Sequence, residues 1–530
     1  MIAFILFEKK TSDHSLIKIY YIIMKKNIKL PDYLSILEYS VQEINFVLTF
    51  YEGTSKQEFV EGEWNEICSL QDAKVRAEKK AQFFKIHKVS FPAKVSIIIK
   101  ELYDLAQKEQ MPLCSFAGFG YFFNTAYWEQ IDPVRLNKFL SRFATRCGIN
   151  EKIAISASIQ KMLIQQFHSY ASRVEPTGDD CVKINLQNGT LRIDDNSCVL
   201  EPFSADDFLR YQLSVAYNEN AQINLFQQFL DRVLPEKESQ EFLAEYIGYT
   251  LTTNIKLEQC LILVGSGANG KSVIFDIVNA LLGKDNITHY TLAQLCGDNE
   301  YRRATLSGKL LNYSSELGTG LADVDMVKKL ISNEPIDARL PYGEPFTVHR
   351  YGKFMFNTNS LPTSVEISDA YFRRMNFMQF DVTIPKSEQD PELAKKIIDT
   401  ELDGVLQWVL VGLKRLLVNR KFTVSPKMEA VKEQIRRDLD SVATFMAETG
   451  YKPSPNKRTL LKTLREEYNE FCKLNNCRQV GHKMFSQRLR SAGFDVVSGT
   501  GNRTYVCCET AQNPDLDFVG DVFKLKSSER

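Results

Sequence analysis

No stretch of this chain approaches the roughly 20 consecutive apolar residues that a membrane-spanning helix requires. The opening "MIAFILF" is too short for a signal-peptide core and no small-residue cleavage site follows it. The expectation is a chain with no membrane partner. An excess of either charge is also missing: 66 lysines and arginines balance 66 aspartates and glutamates, so any affinity for nucleic acid has to come from local basic patches. Metal-ligand spacing is equally scarce. The eleven cysteines are scattered with no CxxC pair, and the six histidines form no ligand pair at helical spacing, which predicts reduced thiols, a cytoplasmic setting and no structural metal. Internal repeats and low-complexity tracts are absent too. "MKKNIKLPDY" at Met24 reads as an alternative start.

What is present is an ordinary globular composition, 44% hydrophobic over 530 residues, enough for about three or four domains each with its own core. Residues 1–105 have no legible role; they include the basic helical stretch "KVRAEKKAQFFKIHK" (74–88), read as a solvated face with a nucleic-acid patch as the alternative. Residues 106–258 read as an α+β and helical domain. An aromatic strand-turn-strand leads to a helix starting near Asp132-Pro133, a hairpin turns at Asn188-Gly189, and helical periodicity runs from about 203 to 258. From 259 to 384, β-like runs ("CLILVG", "KLLNYSSEL", "KFMFNTN", "MNFMQFDV") alternate with helical segments, the pattern of a parallel sheet with crossover helices. Residues 385–450 are helical, 451–510 form a small helical unit with a hairpin, and 511–530 read as a mobile tail.

The sharpest local signal is Gly265-Ser266-Gly267-Ala268-Asn269-Gly270-Lys271-Ser272, a GxxxxGK[ST] segment between an apolar strand and a helix. Glycines let backbone N–H groups close around phosphate, lysine neutralises the β and γ oxygens, and the Ser272 hydroxyl suits Mg²⁺. The following helix presents its positive end to the same place. Downstream, "KLLNYSSEL" delivers Glu316 to a strand end, where a carboxylate can orient an attacking water and support Mg²⁺. "KFMFNTNSLP" delivers Asn357 and Asn359 to another strand end, and "DAYFRRMNFMQF" sets Arg373 and Arg374 before a further strand.

A phosphate loop, a strand ending in an acid, a strand ending in TN and an arginine pair, in that order, resemble the superfamily 3 helicases of viruses, phages and plasmids. "GSGANGKS", "VKKLISNEPIDAR", "FNTNSLP" and "DAYFRRMNF" look most like the branch of poxvirus primase-helicases and satellite-phage primases. The likeness spans residues 110–510 and is strongest over 240–420. It implies an α/β P-loop, AAA+-like ATPase core at 259–384, a helical N-terminal collar-type domain, a helical extension at 385–450 and a C-terminal winged helix. The implied activity is ATP- and Mg²⁺-dependent unwinding of DNA in replication of a mobile element or virus. Lys271 and Ser272 would hold phosphate and Mg²⁺, Glu316 would polarise water and share the metal, and Asn359 would be the sensor. Arg374, with Arg373 as second choice, would be the finger entering a neighbouring subunit's site, which implies a homo-hexamer. Many relatives carry two adjacent acids where Ser315 precedes Glu316 here, which leaves the direct Mg²⁺ ligands open.

The same resemblance places a pore hairpin between Glu316 and Asn359, making Lys328, Lys329, Arg339 and Tyr342 candidate contacts to single-stranded DNA. In the winged-helix reading, Lys483, Arg488 and Arg490 lie on the recognition helix and Arg503 on the wing, positioned for duplex phosphates. Two other readings share the site. One is a nucleotide-switched initiator that binds DNA, alongside replication proteins of host or element, without processive unwinding. The other is a fused primase-helicase, disfavoured because residues 1–105 hold no paired-acid metal motif.

Overall fold

The computed structural model describes residues 33–174, 181–194, 197–252, 255–297, 300–317, 323–340, 345–359, 369–438, 440–475, 479–499 and 503–510. Met24, Tyr342, the tip of the 499–501 turn and the expected tail beyond 510 lie outside these residues. Two compact units divide the chain: residues 1–180 with 201–211, and residues 181–200 with 212–530.

The first unit opens with helices α1 (Tyr33–Ser40), α2 (Phe46–Tyr51), α3 (Gln57–Ser69), α4 (Ala73–Ile86) and α5 (Phe91–Lys108). Strands β1 (Leu113–Phe116), β2 (Phe119–Phe123) and β3 (Trp128–Gln130) form an antiparallel meander, and α6 (Pro133–Arg146) and α7 (Ala157–Tyr170) follow. As the sequence predicts, Pro133 opens α6 and the Asp132 carboxylate caps it, accepting from the Arg135 amide at 2.9 Å. The expected boundary at 105/106 is overturned, because it falls inside α5. Val95, Ile98, Ile99 and Leu102 of that helix share one buried core with Leu136, Phe139 and Phe143 of α6 and Leu163 and Phe167 of α7. Continuous burial across the helix makes its two halves one packing element.

The second unit begins with the hairpin β4 (Val182–Leu186) and β5 (Gly189–Ile193), flanked by β6 (Cys198–Glu201). Leu186 pairs with Gly189, so the turn residues are Gln187 and Asn188, one position earlier than expected. The helical reading of 203–224 is also corrected. Ala205–Asp207 form a single tight turn, the Leu209 carbonyl accepts from the Trp128 amide, and farther on Leu213 donates to the Asn185 carbonyl and Gln187 to the Val215 carbonyl, so the segment satisfies its backbone largely with strands rather than as a helix. Helices α8 (Leu225–Val233) and α9 (Lys237–Thr250) then precede the sheet.

The sheet contains β7 (Cys260–Val264), β8 (Ile287–Thr288), β9 (Leu311–Ser314), β12 (Lys353–Thr358) and β13 (Met375–Gln379), in the order β13-β7-β12-β9-β8. Every pairing is parallel, as the alternating pattern predicts. Both faces are covered, which explains the uninterrupted apolar runs in the sequence. Helix α10 (Lys271–Leu282) crosses over from β7, and α11 (Val324–Ile331) precedes the antiparallel pair β10 (Ile336–Arg339) and β11 (Pro345–Val348).

Helix α12 (Leu393–Asn419) packs closely on α9, where a side chain at Gly412 would strike the Ala244 backbone at 2.5 Å. A buried carboxylate joins the same elements: Glu245 accepts from Arg415 Nε and from the Thr423 amide, each at 2.6 Å. Helices α13 (Pro426–Asp438) and α14 (Ser441–Glu448) lead to the C-terminal elements β14 (Tyr451–Pro453), β15 (Thr459–Leu460), α15 (Leu461–Leu474), α16 (His482–Ser491), β16 (Val496–Ser498), β17 (Thr504–Val506) and β18 (Cys508–Thr510). The expected boundary at 450/451 is displaced, since Val442, Phe445 and Met446 of α14 lie in one core with Leu464, Tyr468, Phe485 and Leu489.

Candidate functional site

The loop between β7 and α10 owes its shape to left-handed backbone. Gly267 has φ +111°, Ala268 +51° and Gly270 +90°, left-handed backbone that glycine adopts at no steric cost and that bends the chain into a tight turn. A side chain at Gly267 would meet nothing within 4 Å, whereas one at Gly270 would meet Phe229 and Val233 of α8. The loop is therefore open on one side and seated on a helix on the other. That helix is itself fixed by Glu401, whose carboxylate accepts from the amides of Asn224, Leu225 and Phe226 at 3.1, 2.8 and 2.9 Å.

Lys271 is buried, and its ammonium donates to the Gly265 carbonyl at 2.7 Å and to Asn269 Oδ1 at 3.0 Å. Burial pulls its pKa below the ordinary lysine value. Asn269 anchors the loop from beneath, its Nδ2 donating to the Phe380 carbonyl at 3.3 Å. Ser266 belongs to the same turn, and Ser272 is exposed on the first turn of α10. Asp276, one helical turn beyond Ser272, has its pKa raised by desolvation.

Strand register brings the other two candidates to the same edge of the sheet. Thr358 lies opposite Val264, and Ser314 opposite Phe356. Glu316, two residues past Ser314, and Asn359, one past Thr358, therefore leave the sheet at the level where β7 turns into the loop. Both are exposed, and the Gly265 amide donates to the Thr358 carbonyl at 3.2 Å. Beneath them the buried Tyr313 hydroxyl donates to Asn357 Oδ1 at 3.0 Å, joining the strands that carry Glu316 and Asn359. Burial pushes the Tyr313 pKa well up, which keeps its phenol a neutral donor.

The arginine pair lies at the other edge. Met375 of β13 pairs with Cys260 of β7, and the Cys260 amide donates to the Arg374 carbonyl at 2.8 Å, so both arginines precede the N-terminal ends of these strands. Arg374, the preferred finger of the sequence reading, is buried and fully engaged: Nε donates to Ser332 Oγ at 2.9 Å, Nη1 to the Ala370 carbonyl at 2.8 Å and Nη2 to Glu258 at 3.2 Å. Arg373 is exposed. Sequence reasoning missed Glu258 and Ser332, because partners of a buried guanidinium far apart in the chain leave no local pattern.

The expected DNA contacts divide in the same way. Lys329 on α11 and Arg339 at the end of β10 are exposed, while Lys328 pairs with Asp325 at 3.3 Å. On α16, Lys483 and Arg490 are exposed. Arg488 is mostly buried and faces Asp440 at 3.5 Å, the residue that caps α14, so it serves packing rather than an outward surface. Arg503 is exposed, and its carbonyl accepts from the Gly499 amide at 2.7 Å.

Two families match parts of this chain. Residues 96–235 match the D5 N-terminal-like family, and residues 263–374 match a family of unknown function, DUF5906. The second stretch opens in β7 and closes at Arg374, so it contains the loop, Glu316, Asn359 and both arginines. A protein of Acanthamoeba polyphaga mimivirus, provisionally named a helicase, is 25% identical over 206 residues, covering 36% of this chain and 20% of its own length. The chain thus spans about a fifth of the length of that curated relative. Among solved structures, an A-form apo structure of the NrS-1 C-terminal region aligns with 76% of this chain and 98% of its own, at 12% identity and a TM-score of 0.43. A second apo structure of that region aligns at 13% identity and a TM-score of 0.41. No helix among the described residues is long and apolar enough to cross a membrane.

Proposed function

We propose that this chain is an ATP-driven DNA motor of the superfamily 3 type, acting as a ring in the replication of a virus, phage or plasmid. The observation that carries the reading is the placement of one set of groups at each edge of the parallel sheet. The Lys271 loop, Glu316 and Asn359 leave the C-terminal edge, where open α/β sheets bind ligands, and an exposed arginine stands at the N-terminal edge.

The loop suits a nucleotide phosphate chain. The space at Gly267 is open, so a phosphate can approach the loop backbone there, and Lys271 adds a buried cation to the same turn. Ser272 would be the protein ligand for Mg²⁺, and Glu316 would support the same ion. A bound Mg²⁺–ATP supplies the phosphoryl group and the metal charge that hydrolysis requires. Glu316 orients water, Asn359 senses the terminal phosphate, and Tyr313 with Asn357 keeps their two strand ends in register. Arg373, rather than Arg374, is the finger offered to an adjacent copy. Lys329 on α11 and Arg339 on the β10–β11 hairpin face single-stranded DNA, and Lys483, Arg490 and Arg503 face duplex phosphates from a winged-helix unit.

The test is hydrolysis of ATP by the purified chain with and without single-stranded DNA, beside displacement of a labelled strand. The expected result is stimulated hydrolysis and displacement, both lost in Lys271→Ala. Hydrolysis with no displacement would replace the motor by a nucleotide switch, and absence of hydrolysis would remove both.

A further inference from the structure

Helix α4 is unusual among the helices of its unit in being almost bare. Of its 14 residues only Phe83 is buried, seated on the Trp64 ring with centroids 5.2 Å apart. Val75, Phe84 and Ile86 stand exposed at 42%, 46% and 62%. A helix of this length is marginal on its own, and its N-terminus is fixed by Asp72, which accepts from the Lys74 and Val75 amides. The sequence therefore maintains a presented helix instead of packing one away.

Its charge is lopsided in a chain whose formal charge is zero. Between 73 and 88 stand Lys74, Arg76, Lys79, Lys80, Lys85 and Lys88 against Glu78 alone. Arg76 donates to the Leu70 carbonyl and Lys80 lies over the Trp64 ring at 4.9 Å. Among the described residues, Lys74, Lys79, Lys85 and Lys88 have no acidic partner, and all four are exposed. On the helix surface Lys74 and Lys85 fall on one outward line, about 16 Å apart along the axis, with Lys79 about 140° round the helix from Lys74, next to Val75 and Ile86. Lysine suits phosphate as a point charge that demands no fixed angle, and apolar side chains on the flanks offer faces to sugars and bases.

We infer that α4 is a second nucleic-acid contact, holding the phosphodiester backbone through Lys74, Lys79 and Lys85 without reading sequence. It is separate from the nucleotide loop and needs no nucleotide. The occupant fits an extended polyanion better than an acidic protein surface, because the apolar residues flank the cationic line and leave no apolar centre for an interface to desolvate.

The test uses the full chain without nucleotide, titrated by fluorescence anisotropy against labelled oligo-dT and a labelled duplex between about 50 and 200 mM salt. The expected result for Lys74→Gln/Lys79→Gln/Lys85→Gln is a salt slope smaller by about 2 to 3 and affinity at least about tenfold weaker, with an unchanged circular dichroism spectrum and melting midpoint. The relative effect on the two oligonucleotides says which form α4 holds. Unchanged slope and affinity would overturn the inference. So would intact DNA binding with altered self-association by sedimentation, which would assign the helix to a protein contact. Because nucleotide is absent throughout, failure of the ATPase reading would leave this result standing.

Discussion

Lys271 and Arg373 stand at opposite ends of one parallel sheet: the lysine follows the C-terminal end of β7, and the arginine precedes the N-terminal end of its neighbour β13. Five residues of strand separate the two edges by about 16 Å. Arg373 therefore does not serve the Lys271 loop of its own chain, and a role for it in hydrolysis requires a second copy arranged head to tail.

The two adjacent arginines are expected to part company on mutation. Arg374→Ala takes the guanidinium from Ser332, the Ala370 carbonyl and Glu258, which keeps only Lys256 as a cation, and is expected to cost about 2 kcal/mol in chemical denaturation. Arg373→Ala removes an exposed side chain and should shift stability by less than about 0.5 kcal/mol, while kcat for ATP falls by about 10³.

This contrast marks the limit of what the sequence discloses. The loop was legible because GxxxxGK[ST] specifies its own turn, and the strands because apolar runs of five residues have few other uses in an α/β chain. Which of Arg373 and Arg374 faces outward depended on Glu258 and Ser332, 116 and 42 positions away. The same applies to Arg488, whose role is decided by Asp440 across a packing interface. The 203–224 segment misled because Phe203 and Phe208 pack into the aromatic cluster of β1–β3 while Leu213 and Val215 run beside the β4–β5 hairpin, and periodicity alone does not distinguish such packing from a helix face.

Tyr313→Phe removes the hydroxyl that donates to Asn357 and leaves the ring packing intact. The expected cost is about 1 kcal/mol in stability. If the bond holds the strand ends in register, kcat falls several-fold with KM for ATP nearly constant. A change in KM alone would place the effect on binding instead.

Lys353 begins β12, buried with its ammonium 4.4 Å from the Tyr249 ring centroid, and burial lowers its pKa to about 8. The unfolded chain holds this proton up to about pH 10.5, so between pH 8 and 10.5 it binds more protons than the folded one and stability rises with pH. Below pH 8 the penalty for the buried charge is fully present, at most about 3 kcal/mol. Lys353→Met is expected to remove that rise and to be the more stable protein at pH 7, as read by denaturant midpoints at several pH values.

Glu401→Ala frees three amides at the start of α8, the helix on which Gly270 rests. The expected loss is about 1 to 2 kcal/mol, accompanied by weaker binding of a fluorescent ATP analogue because the loop loses its seat. Glu401→Gln keeps an acceptor oxygen and should recover part of both.

The most direct measurement mixes two inactive proteins. Lys271→Ala has a dead loop and an intact Arg373, and Arg373→Ala has the reverse. If the site is completed across subunits, an equal mixture allowed to exchange regains hydrolysis at about a quarter of its interfaces, those pairing a sound loop with a sound arginine. A mixture that exchanges subunits and remains as inactive as either variant would contradict the shared site, and with it the ring motor.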